Sequence, residues 1–185
     1  MTHLPQRMLV PALLAALCGF ATVNAATLEK LTLDEMSRRS TSIVRARIIS
    51  CAGEAQGSLI LTRCRLQVSE YWKGTLTDSS FVLPGGQYQG LVQTFTGTPT
   101  VVEGQEYVLF LWTGKSGKAQ VIGLSQGSFS LAPDAKGGEA RVRRSASSTE
   151  VMLDKNGIPV ADTPLDLSVS ELKTRVQKAL GGVRQ

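Results

Sequence analysis

Four arginines stand at alternate positions in two alternating segments: Arg45 and Arg47, then Arg63 and Arg65. A guanidinium presents a fixed fork of donors that matches carboxylate and sulfate groups. If Ile48 and Leu66 both face the core, all four arginines share the outer face of one hairpin. Such a face can hold an anionic partner. It can equally be a solvated face that guards against edge pairing. Arg141, Arg143 and Arg144 form a second basic cluster. Aromatic residues offer another chemistry, stacking on sugar or peptide. Tyr88 and Phe95, inside a glycine-rich segment, are the surface candidates. Trp72 and Trp112 end apolar segments and are expected to cap the core.

Catalytic vocabulary is sparse. His3 is the only histidine, and a serine or cysteine nucleophile lacks its usual base without one. Zinc hydrolysis loses its commonest ligand for the same reason, and no metal or cofactor is expected. Two carboxylates suffice for a glycosidase, and Glu103 and Glu106 sit near a turn. Their spacing does not single them out, since carboxylates flanking a strand are ordinary. Gly85-Gly86 brings backbone N–H groups to a bend, but no helix follows with phosphate-loop spacing. A bend after an edge strand is the simpler reading.

The amino-terminal residues set the compartment. Arg7, the apolar run from Met8 to Ala21, and Val23-Asn24-Ala25 have the form of a signal peptide cut after Ala25. Cleavage removes His3 and Cys18. Pro11 and Cys18 interrupt the run, and Leu17 stands where a lipoprotein signal has a small residue, so no stable membrane insertion is expected. Cys51 and Cys64 remain, and two cysteines in an exported chain are expected to pair. Their loop would contribute about 2–3 kcal/mol in the chain-entropy model. A metal-binding or redox pair lacks the C-x-x-C spacing. Of 20 lysines and arginines only Arg7 precedes Ala26, so 19 basic residues face 15 acidic ones and the net charge is +4. The positive residues are spread along the chain, and nucleic-acid binding has no support.

The elements follow from periodicity. Thr32 and Glu35 have capping-box spacing before a short helix ending near Arg39. Ser42–Ser50 and Leu59–Val68 alternate with period two, and Gly53 to Ser58 supplies the turn. Cys64 shares parity with the buried set and Cys51 with the arginines. A disulfide therefore needs a bulge near Ile48-Ile49. Phe81–Leu83, Gly90–Phe95, Ala119–Leu124, Gly127–Leu131 and Arg141–Ser147 read as further strands. Tyr107–Trp112 is nearly all apolar and suits a central strand. Val151–Leu153 and Ile158–Val160 flank Asn156-Gly157, a hairpin signal in which both residues tolerate positive φ. Ser168 and Glu171 open an amphipathic helix with Val169, Leu172, Val176, Ala179 and Leu180 on one face and Gly181 as its left-handed cap. Residues 1–25 are thus a signal peptide, and 26–185 a single β-rich domain with a carboxy-terminal hairpin and helix.

Ser42-Ile-Val-Arg-Ala-Arg-Ile48 and Leu66-Gln-Val-Ser-Glu-Tyr-Trp-Lys-Gly74 resemble the opening of the netrin-like module of tissue inhibitors of metalloproteinases. Gly104-Gln-Glu-Tyr-Val-Leu-Phe110 resembles that module's later core strand. The chain is closer still to a group of uncharacterised bacterial exported proteins, through Gly85-Gly86, Gly97-x-Pro99 and Gln126-Gly127-x-Phe129. The resemblance covers Leu31 to Leu131 and implies an OB-fold β-barrel with a short amino-terminal helix and a carboxy-terminal amphipathic helix. The inhibitors chelate zinc through an amino-terminal cysteine. Here the expected mature start is Ala26 and the first remaining cysteine is Cys51, so that mechanism does not carry over.

Two function classes remain. One is an exported, non-enzymatic binding or accessory module for a protein or glycan, including a peptidase-associated factor. The other is a carboxylate-dependent hydrolase.

Overall fold

A computed structural model describes residues 26–134, 137–147 and 150–181. The expected signal peptide, with His3 and Cys18, lies outside the described residues. The chain is mainly β, with two helices. The elements are β1 (Ala26–Glu29), α1 (Leu33–Arg39), β2 (Ser42–Gln56), β3 (Leu59–Lys73), β4 (Ser80–Pro84), β5 (Gly86–Tyr88), β6 (Leu91–Gln93), β7 (Glu106–Thr113) and β8 (Ala119–Val121). A 3-10 turn (Leu124–Gly127) leads to β9 (Ser128–Ala132), β10 (Arg141–Arg144), β11 (Glu150–Leu153), β12 (Pro159–Val160), β13 (Leu165–Ser168) and α2 (Val169–Gly181).

Eight strands form the main sheet in the order β13-β10-β9-β7-β2-β3-β4-β8. β8 pairs in parallel with β4 and antiparallel with β7, so the pairings β7–β2–β3–β4–β8 return to their start. β9, β10 and β13 extend the sheet beyond β7. β5 and β6 pair only with each other, and β1, β11 and β12 make a third small sheet.

β7 explains its own apolar run. Tyr107, Leu109 and Leu111 enter one core with Val44, Ala46, Ile48, Cys64, Leu66 and Phe81. Val108 and Phe110 point the other way, into a second core with Met36, Phe129, Val142, Leu172 and Val176. Both faces of β7 are buried, so its alternation disappears from the sequence. The second core is the seat of both helices. Thr32 and Glu35 close the expected capping box on α1. Val68, in phase with the inward-facing Cys64 and Leu66 and so expected to be buried, is only half-buried against the first core.

Several local expectations change. β2 and β3 continue to Gln56 and from Leu59, so the hairpin turns at Gly57-Ser58 rather than over Gly53 to Ser58. Gly157 takes a positive φ but Asn156 does not. Asp154 shapes that loop, its carboxylate accepting from the N–H groups of Asn156 and Ile158. Ser168 accepts from the Glu171 N–H, but the Glu171 carboxylate pairs with Arg175 instead of closing a box. Gly181 lies within α2 without a positive φ. Neither β1 nor β13 is anticipated by periodicity, each being four residues long.

Gly53 marks a close approach. A Cβ there would overlap the Gln87 carbonyl oxygen, so β5 lies directly on β2. Gly53→Ala is expected to destabilise by about 1–3 kcal/mol through overpacking. Chemical denaturation measures it, and an unchanged midpoint would mean that β5 does not rest there.

Candidate functional site

Of three irregularities in the β2–β3 pairing, two shape the arginine-bearing outer face. Ile48 pairs with Leu66 and Ser50 with Arg65, so Ile49 is an extra residue in β2. That shift places Cys51 opposite Cys64, and the two form a disulfide. The bulge expected near Ile48-Ile49 is thus present. A second shift lets Arg45 pair with Glu70 and Ala46 with Val68, leaving Ser69 extra in β3. Ile48 and Leu66 are both buried in one core, so Arg45, Arg47, Arg63 and Arg65 do share the outer face.

They do not share one electrostatic state. The Arg45 guanidinium donates to Glu106 at 2.8 Å and to Glu70 at 3.2 Å. Lys173 from α2 reaches Glu70 at 2.6 Å and sits 5.9 Å from the centre of the Trp72 ring. Two cations and two carboxylates form this network. Lys173 holds the Glu70 carboxyl below its ordinary value, against the opposing push of burial. Arg63 donates to Glu54 at 2.8 Å and lies 3.5 Å from Asp78, while Lys118 reaches Glu54 at 2.7 Å. This second network again balances two cations against two carboxylates. Arg47 and Arg65 differ. Arg47 donates to the Gly104 carbonyl and Arg65 to the Ser50 hydroxyl. Both are exposed, and no described carboxylate pairs with either. Arg47 faces Gln67 across the hairpin, and Gln67 is two residues from Arg65 on the same face.

The other candidates are dispersed. Glu106 is engaged with Arg45, and Glu103 accepts from the Cys51 N–H, so the two carboxylates serve different networks. Arg141 and Arg143 share Asp166, and Arg144 pairs with Asp162. Phe95 lines a shallow groove of about 340 Å³ with Cys51, Thr62 and Gly85, whereas Tyr88 lies outside it. The exposed apolar surface of this region belongs to Leu91 and Val92 on β6 and, to a smaller extent, to Phe95. The Gly85-Gly86 bend has positive φ at both residues, and the Gly85 carbonyl accepts from Thr62. Trp72 packs on the second core, but Trp112 is half-exposed with its ring over Gly114, not a cap.

Among the described residues, no group of three or more His, Cys, Asp or Glu is placed to hold a metal. No described helix is long and apolar enough to cross a membrane. Compared with known proteins, the chain matches no family model and no curated sequence.

Glu54, Glu70, Lys118 and Lys173 complete the face, and the arginine spacing alone does not reveal them. A signal was present in the carboxylates of the same two strands, but strict alternation assigns Glu54 and Glu70 to the buried side.

Arg63 first, then Lys118, hold the Glu54 carboxyl at about 2, against an ordinary 4.5. Its folded pKa is depressed, so its stabilisation is full above about 4.5 and lost as pH falls toward 2. Glu54→Gln is expected to cost about 1 kcal/mol at neutral pH, within the range for partly exposed networks. Its melting temperature should also fall less steeply than the parent's between those pH values. Parallel curves for the two proteins would remove Glu54 from the acid response.

Proposed function

We infer that the chain is an exported, non-enzymatic binding domain of OB-barrel type. Its partner is an anionic group on a protein or glycan, held through Arg47 and Arg65. The circuit of five strands supports the barrel reading, since closure of that kind is the architecture of OB folds. It also favours the resemblance to netrin-like modules, without carrying over their target. The Cys51–Cys64 disulfide fits an oxidising compartment and hence the signal-peptide reading.

One observation carries the ligand reading. On a face where Arg45 and Arg63 are each matched by carboxylates, Arg47 and Arg65 are exposed and have none among the described residues. They leave the disulfide-braced hairpin at diagonal positions of one face, Arg47 opposite Gln67 and Arg65 two residues from it. Rigid donors of that kind favour carboxylate or sulfate over apolar groups.

Binding to immobilised heparin and to an immobilised acidic peptide tests this. Exposed charges are screened over about 8–10 Å at physiological ionic strength, so elution should follow salt. The double change Arg47→Ser and Arg65→Ser should lower the salt needed for elution from at least one matrix. Stability should move by no more than about 0.5 kcal/mol, as for ordinary surface changes. Unaltered elution from both matrices would reduce the arginine face to a solvated surface.

A further inference from the structure

One long stretch of the chain carries no charge. From Ser79 to Val102 there is no Asp, Glu, Lys, Arg or His, although 19% of all residues are charged. β5 and β6 lie within this stretch and form a ribbon of their own. Gln89 and Gly90 join them, both at positive φ, as in the two-residue turn whose twist suits a hairpin. The ribbon rests on the tip of β2–β3, where Gly86 meets Thr62 and the Gln93 side chain accepts from the Ile60 N–H. Beyond that contact it is bare. Leu91 is 67% exposed and Val92 72%, the most exposed large apolar side chains among the described residues.

The two edges of the ribbon differ. Tyr88 pairs with Leu91 across the turn, Gln87 with Val92 and Gly86 with Gln93. Hydrogen-bonded and open pairs alternate along an antiparallel ladder, and the pair that closes the turn is hydrogen-bonded. Gln87 and Val92 therefore turn their N–H and C=O groups away from each other. On β5 that edge is occupied: the Gln87 carbonyl oxygen lies so close to Gly53 that a Cβ there would overlap it. On β6 the edge is open. No other hydrogen bond reaches the Val92 backbone among the described residues. Sheet edges are ordinarily guarded by charge, proline, a bulge or shortness. Leu91-Val92-Gln93 has only the last of these.

Charge selects the occupant. The chain is net positive, so its basic faces attract an anionic partner and repel a second copy. The uncharged ribbon is where a like-charged copy can approach. The edge is also self-complementary. A two-fold axis at Val92 sets that residue opposite its counterpart, with two N–H···O bonds between them, and Leu91 opposite Gln93. Because β2 covers the outer edge of β5, each copy offers one open ribbon edge, and pairing stops at two. We propose that the β6 edge joins two copies of this chain in an antiparallel dimer, its ribbon running β5-β6-β6-β5. The contact is small, so the dimer is weak and forms with concentration. It uses neither Arg47 nor Arg65 and does not depend on their ligand.

Sedimentation equilibrium of the oxidised protein, from about 10 µM to 1 mM, should show monomer and dimer with a dissociation constant on the order of 0.1 mM. Added salt should leave the dimer unchanged or tighten it, because it screens repulsion between like charges. The Val92 amide should exchange more slowly with solvent as concentration rises. Val92→Pro removes the open donor, which β5 does not use, and should weaken association about tenfold or more. Val92→Lys should do the same by placing like charges opposite one another. Ile158→Lys, at another exposed apolar position, should leave association intact, as should the double change at Arg47 and Arg65. A chain that stays monomeric at the highest concentration overturns the proposal, and so does assembly beyond two copies. It is equally overturned by a dimer that both Val92 variants leave intact, or that Ile158→Lys weakens as much. An added peptide of alternating threonine and valine tests the other occupant. If it protects the Val92 amide while the chain alone stays monomeric, the edge takes a foreign strand and not a second copy.

Discussion

One extra residue, Ile49, decides what the β2–β3 hairpin shows to solvent. Side chains in a strand alternate, so an insertion turns every later residue to the opposite face. Before Ile49 the outward residues of β2 are Arg45 and Arg47; beyond it they are Ser50, Ala52 and Glu54. The same shift turns Cys51 inward, where it meets Cys64 beside the first core. A hairpin without the bulge would send Cys51 to the arginine side and Glu54 to the core. The disulfide and the neutralisation of Arg63 therefore have one origin. Ser69 does the corresponding work in β3, turning Glu70 outward to Arg45.

Beyond the hairpin, β7 divides the molecule. It lends three side chains to the core within the strand circuit and two to the core beneath the helices. Burial on both faces makes it the strand whose apolar area contributes most directly to both cores. α2 is fixed to that second core by Leu172 and Val176, and this anchoring brings Lys173 within reach of Glu70. Packing at the helix thus feeds the electrostatics of the hairpin. No described carboxylate pairs with Arg47, which donates to the Gly104 carbonyl instead.

Much of this was legible in residue patterns, and the failures have physical causes. The alternation of Val44, Ala46 and Ile48 with Arg45 and Arg47 marks both faces of β2 correctly. The mismatch in parity between Cys51 and Cys64 is enough to require a bulge at Ile48-Ile49. What parity cannot show is the consequence of that bulge for more distant residues. Counted in strict twos, Glu54 and Glu70 fall with the buried set, so the arginine face looks more basic than it is. β1 and β13 escape because each is four residues long and no hairpin signal adjoins it, as Asn156-Gly157 adjoins the equally short β11. The Asn156-Gly157 loop is a different error: Asp154 captures two N–H groups with its own carboxylate, and the turn closes with only one positive φ.

Arginine stands in opposite physical states on the hairpin face and on β10. Arg47 and Arg65 are exposed, so their attraction for an anion is long-ranged, salt-sensitive and weakly directional. Arg144 is buried against Asp162, and a buried pair is costly to assemble from water. Its retention therefore has to be explained by what it holds in place, not by net stabilisation. It ties β10 to the Asp162–Thr163 segment through both terminal nitrogens. Asp162 is pushed up by burial, but its bonds to Arg144 and to the Ser147 and Thr163 N–H groups hold it below its ordinary value. That carboxylate stays ionised under Arg144 and cancels its charge locally. Added salt should therefore leave the Arg144–Asp162 tie nearly untouched while it erodes any attraction at Arg47 and Arg65.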